Sequence, residues 1–218
     1  MSIDAFDTAI ASDSVKLKMC ILEATNTLMR QKPFDKLTVR EICQEAHVSR
    51  QTFYNHFRDK TDLAVWLEAS IVNARLLQVG CALTWEEAFE LILFELPSNA
   101  SALAWGIANS SQRRKFISSC AQVIARALLH ELEWRRGAPM TQELRFQCAT
   151  FPYVLIVIVD ALLVESAFPE FIELDKGPAM EALPPGRSRR KAAARNMVAY
   201  VPDELAKAMQ TKRRSSSG

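Results

Sequence analysis

The stretch VSRQTFYNHFRDK, residues 48–60, places Arg50, Gln51, Thr52, Tyr54, Asn55, His56 and Lys60 within little more than three helical turns. Arginine can donate to both acceptors on the major-groove edge of guanine, and glutamine matches adenine's donor–acceptor pair. Thr52 can offer its methyl group to thymine. Tyr54, Asn55 and His56 carry donors suited to phosphate oxygens. Lys60 stands at the start of a further helix, where free backbone N–H groups already favour an anion. Phe53 and Phe57 lie four apart, share a side with Val48, and can pin the helix to a core. Aromatics inward and hydrogen-bonding groups outward are what a helix needs to enter the major groove of duplex DNA.

Such a helix must be held at a fixed angle. Upstream, Thr38 and Glu41 have capping-box spacing, and Val39, Ile42, Cys43 and Ala46 form one apolar face, so a helix is predicted over 39–46. The chain then turns at His47 and Val48. Ser49 is the N-cap of a helix over 50–57, and Asp59 caps another that begins at Lys60 and turns Leu63, Trp66 and Leu67 inward. Leu17, Ile21, Ala24 and Leu28 give helical spacing over 14–31, with Asp13 or Ser14 as cap and Pro33 beyond the end. Two short helices across a tight turn, flanked by longer ones, make a helix-turn-helix domain.

Beyond residue 70 the pattern stays helical, and the predicted class is all-α. Thr84 and Glu87 form a second capping box before FELILFEL, which is expected to stop at Pro97. Helices are expected over 98–110, 111–136 and 141–167, with Pro152 kinking the last or shifting its start. VLIVIV has strong β propensity, but no second strand candidate exists to pair with it. Residues 175–188 read as a linker, and 189–214 as one or two short helices. The expected organisation is a DNA-binding domain over 1–68, a helical regulatory and dimerisation domain over 69–186, and a basic tail over 187–218. Formal charge divides as −1 over 1–70, −4 over 71–186 and +7 over 187–218.

Five cysteines, at 20, 43, 81, 120 and 148, show no CxxC spacing and are expected as reduced thiols packed in the core of a cytosolic protein. Trp66, Trp85, Trp105 and Trp134 are expected as aromatic core, and His130 as a helix-surface residue. The N-terminus has no basic region before an apolar run, so no signal peptide is expected. The apolar run 151–164 contains Asp160 and is shorter than the ~18–20 residues of a membrane span, so no membrane partner is expected. There is no GxSxG, GxGxxG after a strand, GxxxxGK[ST] or HExxH, and no metal-ligand spacing. The expectation is therefore a non-enzyme with no catalytic residues, cofactor or metal.

The run LTVREICQEAHVSRQTFYNHFRDKTDL, residues 37–63, closely resembles the DNA-binding domain of the TetR family (TetR/AcrR type) of bacterial transcriptional regulators. The Thr-x-x-x-Ile, Val-Ser, Thr-Phe-Tyr-x-His-Phe and Asp-Lys elements fall in register, and the resemblance covers roughly the first 70 residues. It implies a cytoplasmic, nucleoid-associated homodimer on a palindromic operator in double-stranded DNA. It also implies a C-terminal domain with a ligand pocket and a four-helix-bundle interface, and repression released by a small-molecule effector. By family position, Thr38, Tyr54, His56 and Lys60 would contact phosphates, and Arg40, Arg50, Gln51 and Thr52 would face bases. RQTFYNHF with KPFDKLTV is most similar to the subgroup regulating dihydroxyacetone-kinase operons. That subgroup allows an alternative, an adaptor whose C-terminal domain binds a partner protein instead of a metabolite. One departure stands out. The family usually has glycine in the turn, where φ can be positive, and this chain has His47, a residue type enriched in that region.

Overall fold

The computed structural model describes residues 13–137, 139–167 and 187–210. Among them the regular elements are helical, apart from an isolated bridge between Val79 and Leu83. In chain order they are α1 (Asp13–Met29), a 3-10 turn (Phe34–Lys36), α2 (Val39–Glu45), α3 (Arg50–Tyr54), α4 (Lys60–Leu76), α5 (Trp85–Ala108), α6 (Arg113–Arg136), α7 (Gln142–Ala167), α8 (Arg187–Val198) and α9 (Asp203–Met209). The first five elements form a small globule around Ile21, Leu22, Phe34, Leu37, Ile42, Phe53, Phe57 and Leu63, all buried. α4 runs from that globule into a bundle in which α6 packs along α7, and α5 packs against α4, α7 and α8. The boundary expected at residue 68 falls inside α4, whose residues Leu63 to Val72 are largely buried along one continuous core.

Expectations are corrected at several points. The helix expected to stop at Pro97 runs on to Ala108. Proline cannot donate its backbone bond and costs about 3 kcal/mol inside a helix. Leu93 and Leu96 before it, with Leu103 and Ile107 after it, are buried in the core, and burying each stabilises by roughly 1.5–3 kcal/mol. Burial on both sides outweighs the lost bond. Pro152 likewise lies within α7, where Phe151, Leu155, Ile156 and Val159 are buried at helical spacing, so VLIVIV is helix. Second, thiols are not uniformly core: Cys43, Cys120 and Cys148 are buried, but Cys20 and Cys81 are exposed. Trp134 is 53% exposed near the end of α6, whereas Trp85 is buried; the Trp105 side chain lies outside the described residues.

Third, residues 187–209 are packed elements and not an appended tail. Ala194 and Met197 of α8 and Leu205, Ala208 and Met209 of α9 are buried. Arg135 of α6 is itself 1% exposed and ties this end down. Its Nη1 donates to the carbonyls of Val79 (2.8 Å) and Met209 (3.0 Å), its Nη2 to Leu77 (2.5 Å), and its Nε to Glu131 (2.7 Å). Gly80, at φ +75°, permits the approach, since a Cβ there would stand 1.8 Å from the Met209 carbonyl oxygen. The linker expected over 175–188 lies outside the described residues as far as 186.

Candidate nucleic-acid interface

The local devices that aim α3 are built from side chains three residues apart. Thr38 accepts from the Glu41 N–H (3.3 Å), and the Glu41 carboxylate accepts from the Thr38 N–H (3.0 Å) and hydroxyl (2.7 Å). Lys32 also pairs with Glu41. The Lys32 bond, with help from Thr38, holds the Glu41 carboxyl down at about 2. Ser49 Oγ accepts from the Thr52 N–H at 2.9 Å, and Asp59 Oδ1 from the Asp62 N–H at 2.9 Å.

Between α2 and α3 the chain makes a Schellman turn. The Val48 N–H donates to the Cys43 carbonyl (2.9 Å) and the His47 N–H to the Gln44 carbonyl (3.2 Å). This geometry requires a left-handed residue at the position after the cap, and His47 takes φ +53°, the one non-glycine with positive φ among the described residues. The turn is formed as the sequence required, with histidine in the glycine position.

α3 ends at Tyr54 with Asn55 as its C-cap, short of the expected 57, and across it and the turn that follows the inward and outward faces separate. Phe53 and Phe57 are buried, with ring centroids 5.6 Å apart, and Phe57 stacks on Trp66 of α4 at 6.0 Å. Lys18 of α1 lies over both the Phe57 and Trp66 rings. Arg50, Gln51, Tyr54 and Asn55 are exposed, and Thr52 and His56 are half-buried. Arg40 is exposed on α2. Gln51 Nε2 donates to Asn55 Oδ1 at 2.9 Å, and the Thr52 and Ser49 hydroxyls bond each other at 2.8 Å. The Thr38 hydroxyl is engaged within its capping box.

Lys60 stands apart from the others. Its Nζ donates to the carbonyls of Phe34 (2.5 Å), Leu37 (2.8 Å) and Asp35 (3.2 Å) and sits 4.6 Å above the Phe34 ring. An ammonium has three donors, and all three point into the turn before α2. Burial lowers its pKa. The structure thus places Lys60 as a clamp on the 34–37 turn rather than as a free cation toward phosphate.

A clasp absent from the sequence reading joins this domain to the bundle. Lys115 of α6 pairs with Asp59 Oδ2 at 2.7 Å, and the Ser111 N–H donates to Asp35 Oδ2 at 3.0 Å. Between them, Arg113 reaches the buried Asp160 of α7 at 2.6 and 3.1 Å. These partners are 47 to 76 residues apart, so no local pattern announces them.

Residues 21–65 match the family described as "Bacterial regulatory proteins, tetR family". Over 90 residues the chain is 29% identical to the HTH-type dhaKLM operon transcriptional activator DhaS of Lactococcus lactis subsp. lactis, a stretch covering 39% of this chain and 46% of that protein. The match therefore spans about half the length of that relative. Among solved structures, the TetR family repressor AlkX from Dietzia sp., implicated in biodegradation of n-alkanes, aligns with TM-score 0.50 at 16% identity over 91% of this chain and 98% of that one. The dihydroxyacetone kinase operon activator DhaS aligns with TM-score 0.48 at 16% identity over 85% and 96%. At 16% identity the AlkX likeness is one of fold. With the helix-turn-helix formed and its family pattern matched over 21–65, this part of the chain is a DNA-binding domain similar to that of the tetR family of bacterial regulatory proteins.

Proposed function

We propose that this chain is a transcriptional regulator that binds a palindromic DNA operator as a homodimer, in the cytoplasm at the nucleoid, and represses until a small-molecule effector reaches the bundle. It is read as a regulator and not an enzyme. The carrying observation is the outward face of α3, where Arg50, Gln51, Tyr54 and Asn55 are exposed directly opposite the buried Phe53 and Phe57. Arg40, Arg50, Gln51 and Thr52 are assigned to bases, and Thr38, Tyr54, Asn55 and His56 to phosphates. Lys60 is reassigned to holding the 34–37 turn.

The proposed dimer face is on α7. Phe146, Tyr153, Val154 and Val157 are 44–63% exposed and recur at helical spacing along one side of that helix. An open groove of about 380 Å³ adjoins it, lined by Arg113, Arg114, Ile117, Tyr153 and Val157. Over Gln142–Leu162 this helix is long and apolar enough to cross a membrane by length and composition. Its inner side packs on α5 and α6, however, and a second copy covering the outer stripe would account for the apolar length.

A second reading has one observation in its favour. An open groove of about 500 Å³ between α5 and α8 is lined by Leu83, Leu91 and Phe94, with Glu87, Glu90 and Arg190 around them. An open apolar groove suits a protein segment better than a metabolite. The sign of regulation is independent of the shared domain, since the curated relative is named an activator and AlkX a repressor.

Selection of binding sites from random duplex DNA tests the primary reading. The expected result is a palindrome whose half-sites lie about one helical turn, ~34–36 Å, apart. Salt-sensitive binding with no enriched sequence would overturn it and leave the adaptor reading in front.

A further inference from the structure

Gln51 and Asn55 lie one helical turn apart on the exposed side of α3, and the Gln51 amide nitrogen donates to Asn55 Oδ1 at 2.9 Å. The Asn55 backbone is fixed as well, since it is the C-cap of α3 at φ −69°, ψ −20°, with its N–H on the Gln51 carbonyl at 3.0 Å. A side-chain amide has two faces of opposite meaning. Its oxygen accepts, and its nitrogen donates twice. A free glutamine can turn either group toward a base, and holding one orientation costs rotamer entropy. Because the bonded Asn55 atom is an oxygen, it selects the Gln51 nitrogen. One Gln51 N–H is consumed, and the remaining edge presents the Oε1 acceptor beside one N–H donor. That pair complements the N6 amino group and N7 of adenine. It does not complement guanine, which presents two acceptors there.

We infer that Asn55 is a positioning residue that commits Gln51 to reading adenine, through the 2.9 Å amide–amide bond on the outer face of α3. The same bond leaves both Asn55 Nδ2 protons free for a phosphate oxygen. Backbone contact and base contact are thereby linked through two side chains: a phosphate orients Asn55, and Asn55 orients Gln51. This rests on the DNA-reading assignment above.

The test is parallel site selection from one random duplex library with the wild-type chain, Gln51→Ala, Asn55→Ala and Asn55→Asp. The wild type is expected to enrich adenine at one position that Gln51→Ala loses. Asn55→Ala should lower the adenine-over-guanine ratio there by about five- to tenfold, the size of one rotamer-restricted bidentate contact, and leave other positions unchanged. Asn55→Asp keeps an acceptor, so it should restore the ratio while weakening all binding through repulsion from phosphates. That rescue is what a merely structural role at the C-cap would not produce. Full adenine preference in Asn55→Ala, an even loss across all positions, or an Asn55→Asp profile matching Asn55→Ala would each overturn the inference. No enriched sequence in the wild type would instead overturn the DNA-reading assignment itself.

Discussion

Arg50 and Lys60 are both cations of the helix-turn-helix, yet their surroundings give them different work. The Arg50 side chain is exposed at the first position of α3, with Ser49 holding the helix start behind it. Replacing it with alanine removes a group able to bond both guanine acceptors and no buried contact. Arg50→Ala should cost ~1–3 kcal/mol of operator affinity and relax preference at one base pair, read by competition with single-base operator variants. The Lys60 ammonium is spent on three carbonyls of the 34–37 turn. Lys60→Ala should therefore act on stability, lowering it by about 1–2 kcal/mol as hydrogen bonds to a charged group are lost. For a chain of this size each kcal/mol is worth roughly 2–4 °C in Tm. The slope of log K against log salt should stay unchanged at temperatures where the variant is folded. A slope reduced by roughly one unit with Tm intact would return Lys60 to the phosphates.

At the scale of elements, the turn between α2 and α3 carries the clearest stress. His47 holds φ +53° because the Val48 N–H must reach the Cys43 carbonyl, and only a left-handed residue bends the chain back that far. Histidine tolerates this region, and a β-branched residue does not. His47→Gly should change stability by less than about 1 kcal/mol, since relief of strain is offset by entropy lost from glycine. His47→Val should destabilise by about 1–2 kcal/mol. Chemical denaturation of the two variants separates them, and equal midpoints would show that the turn holds no conformational demand. This element was legible in advance for a physical reason. The caps at Thr38, Ser49, Asp59 and Thr84 and the apolar faces they precede are all satisfied within a few residues, so spacing alone announces them. The carbonyl clamp of Lys60, the Asp59–Lys115 and Asp35–Ser111 clasp and the Arg135 tie depend on partners 23 to 76 residues away. So does the survival of α5 through Pro97, where local chemistry argued for an end and burial on both sides decided otherwise. The Gln51–Asn55 bond, by contrast, joins residues at i, i+4 and is local in the sequence.

The whole molecule adds an association and a pH response. If α7 forms the subunit contact, a charge at Val157 has to be desolvated in both copies of a two-fold interface. Val157→Glu, at a site 45% exposed in the single chain, should leave the fold intact and raise the dimer dissociation constant by at least about tenfold. Sedimentation equilibrium reads this directly, and an unaltered dimer would place the contact elsewhere. Stability against pH depends on a different residue. Glu68, on the helix linking reader to bundle, is 2% exposed, its Oε1 has no hydrogen-bond partner, and burial with Asp160 nearby pushes its carboxyl up to about 8. The folded chain thus keeps a proton between the ordinary value of 4.5 and about 8 that the unfolded chain has released. Stability should fall as pH rises through that window, because the folded form holds a proton that the unfolded chain gives up. Glu41 acts with the opposite sign. Held down at about 2, it contributes stability above 4.5 that is lost as pH falls toward 2. Glu68→Gln isolates the first effect, because an amide of the same shape does not titrate. Its Tm should match the wild type near pH 4.5 and exceed it increasingly up to pH 8, with no further gain above. A constant difference between the two melting curves across pH 5–8 would mean that Glu68 finds a partner or water in solution.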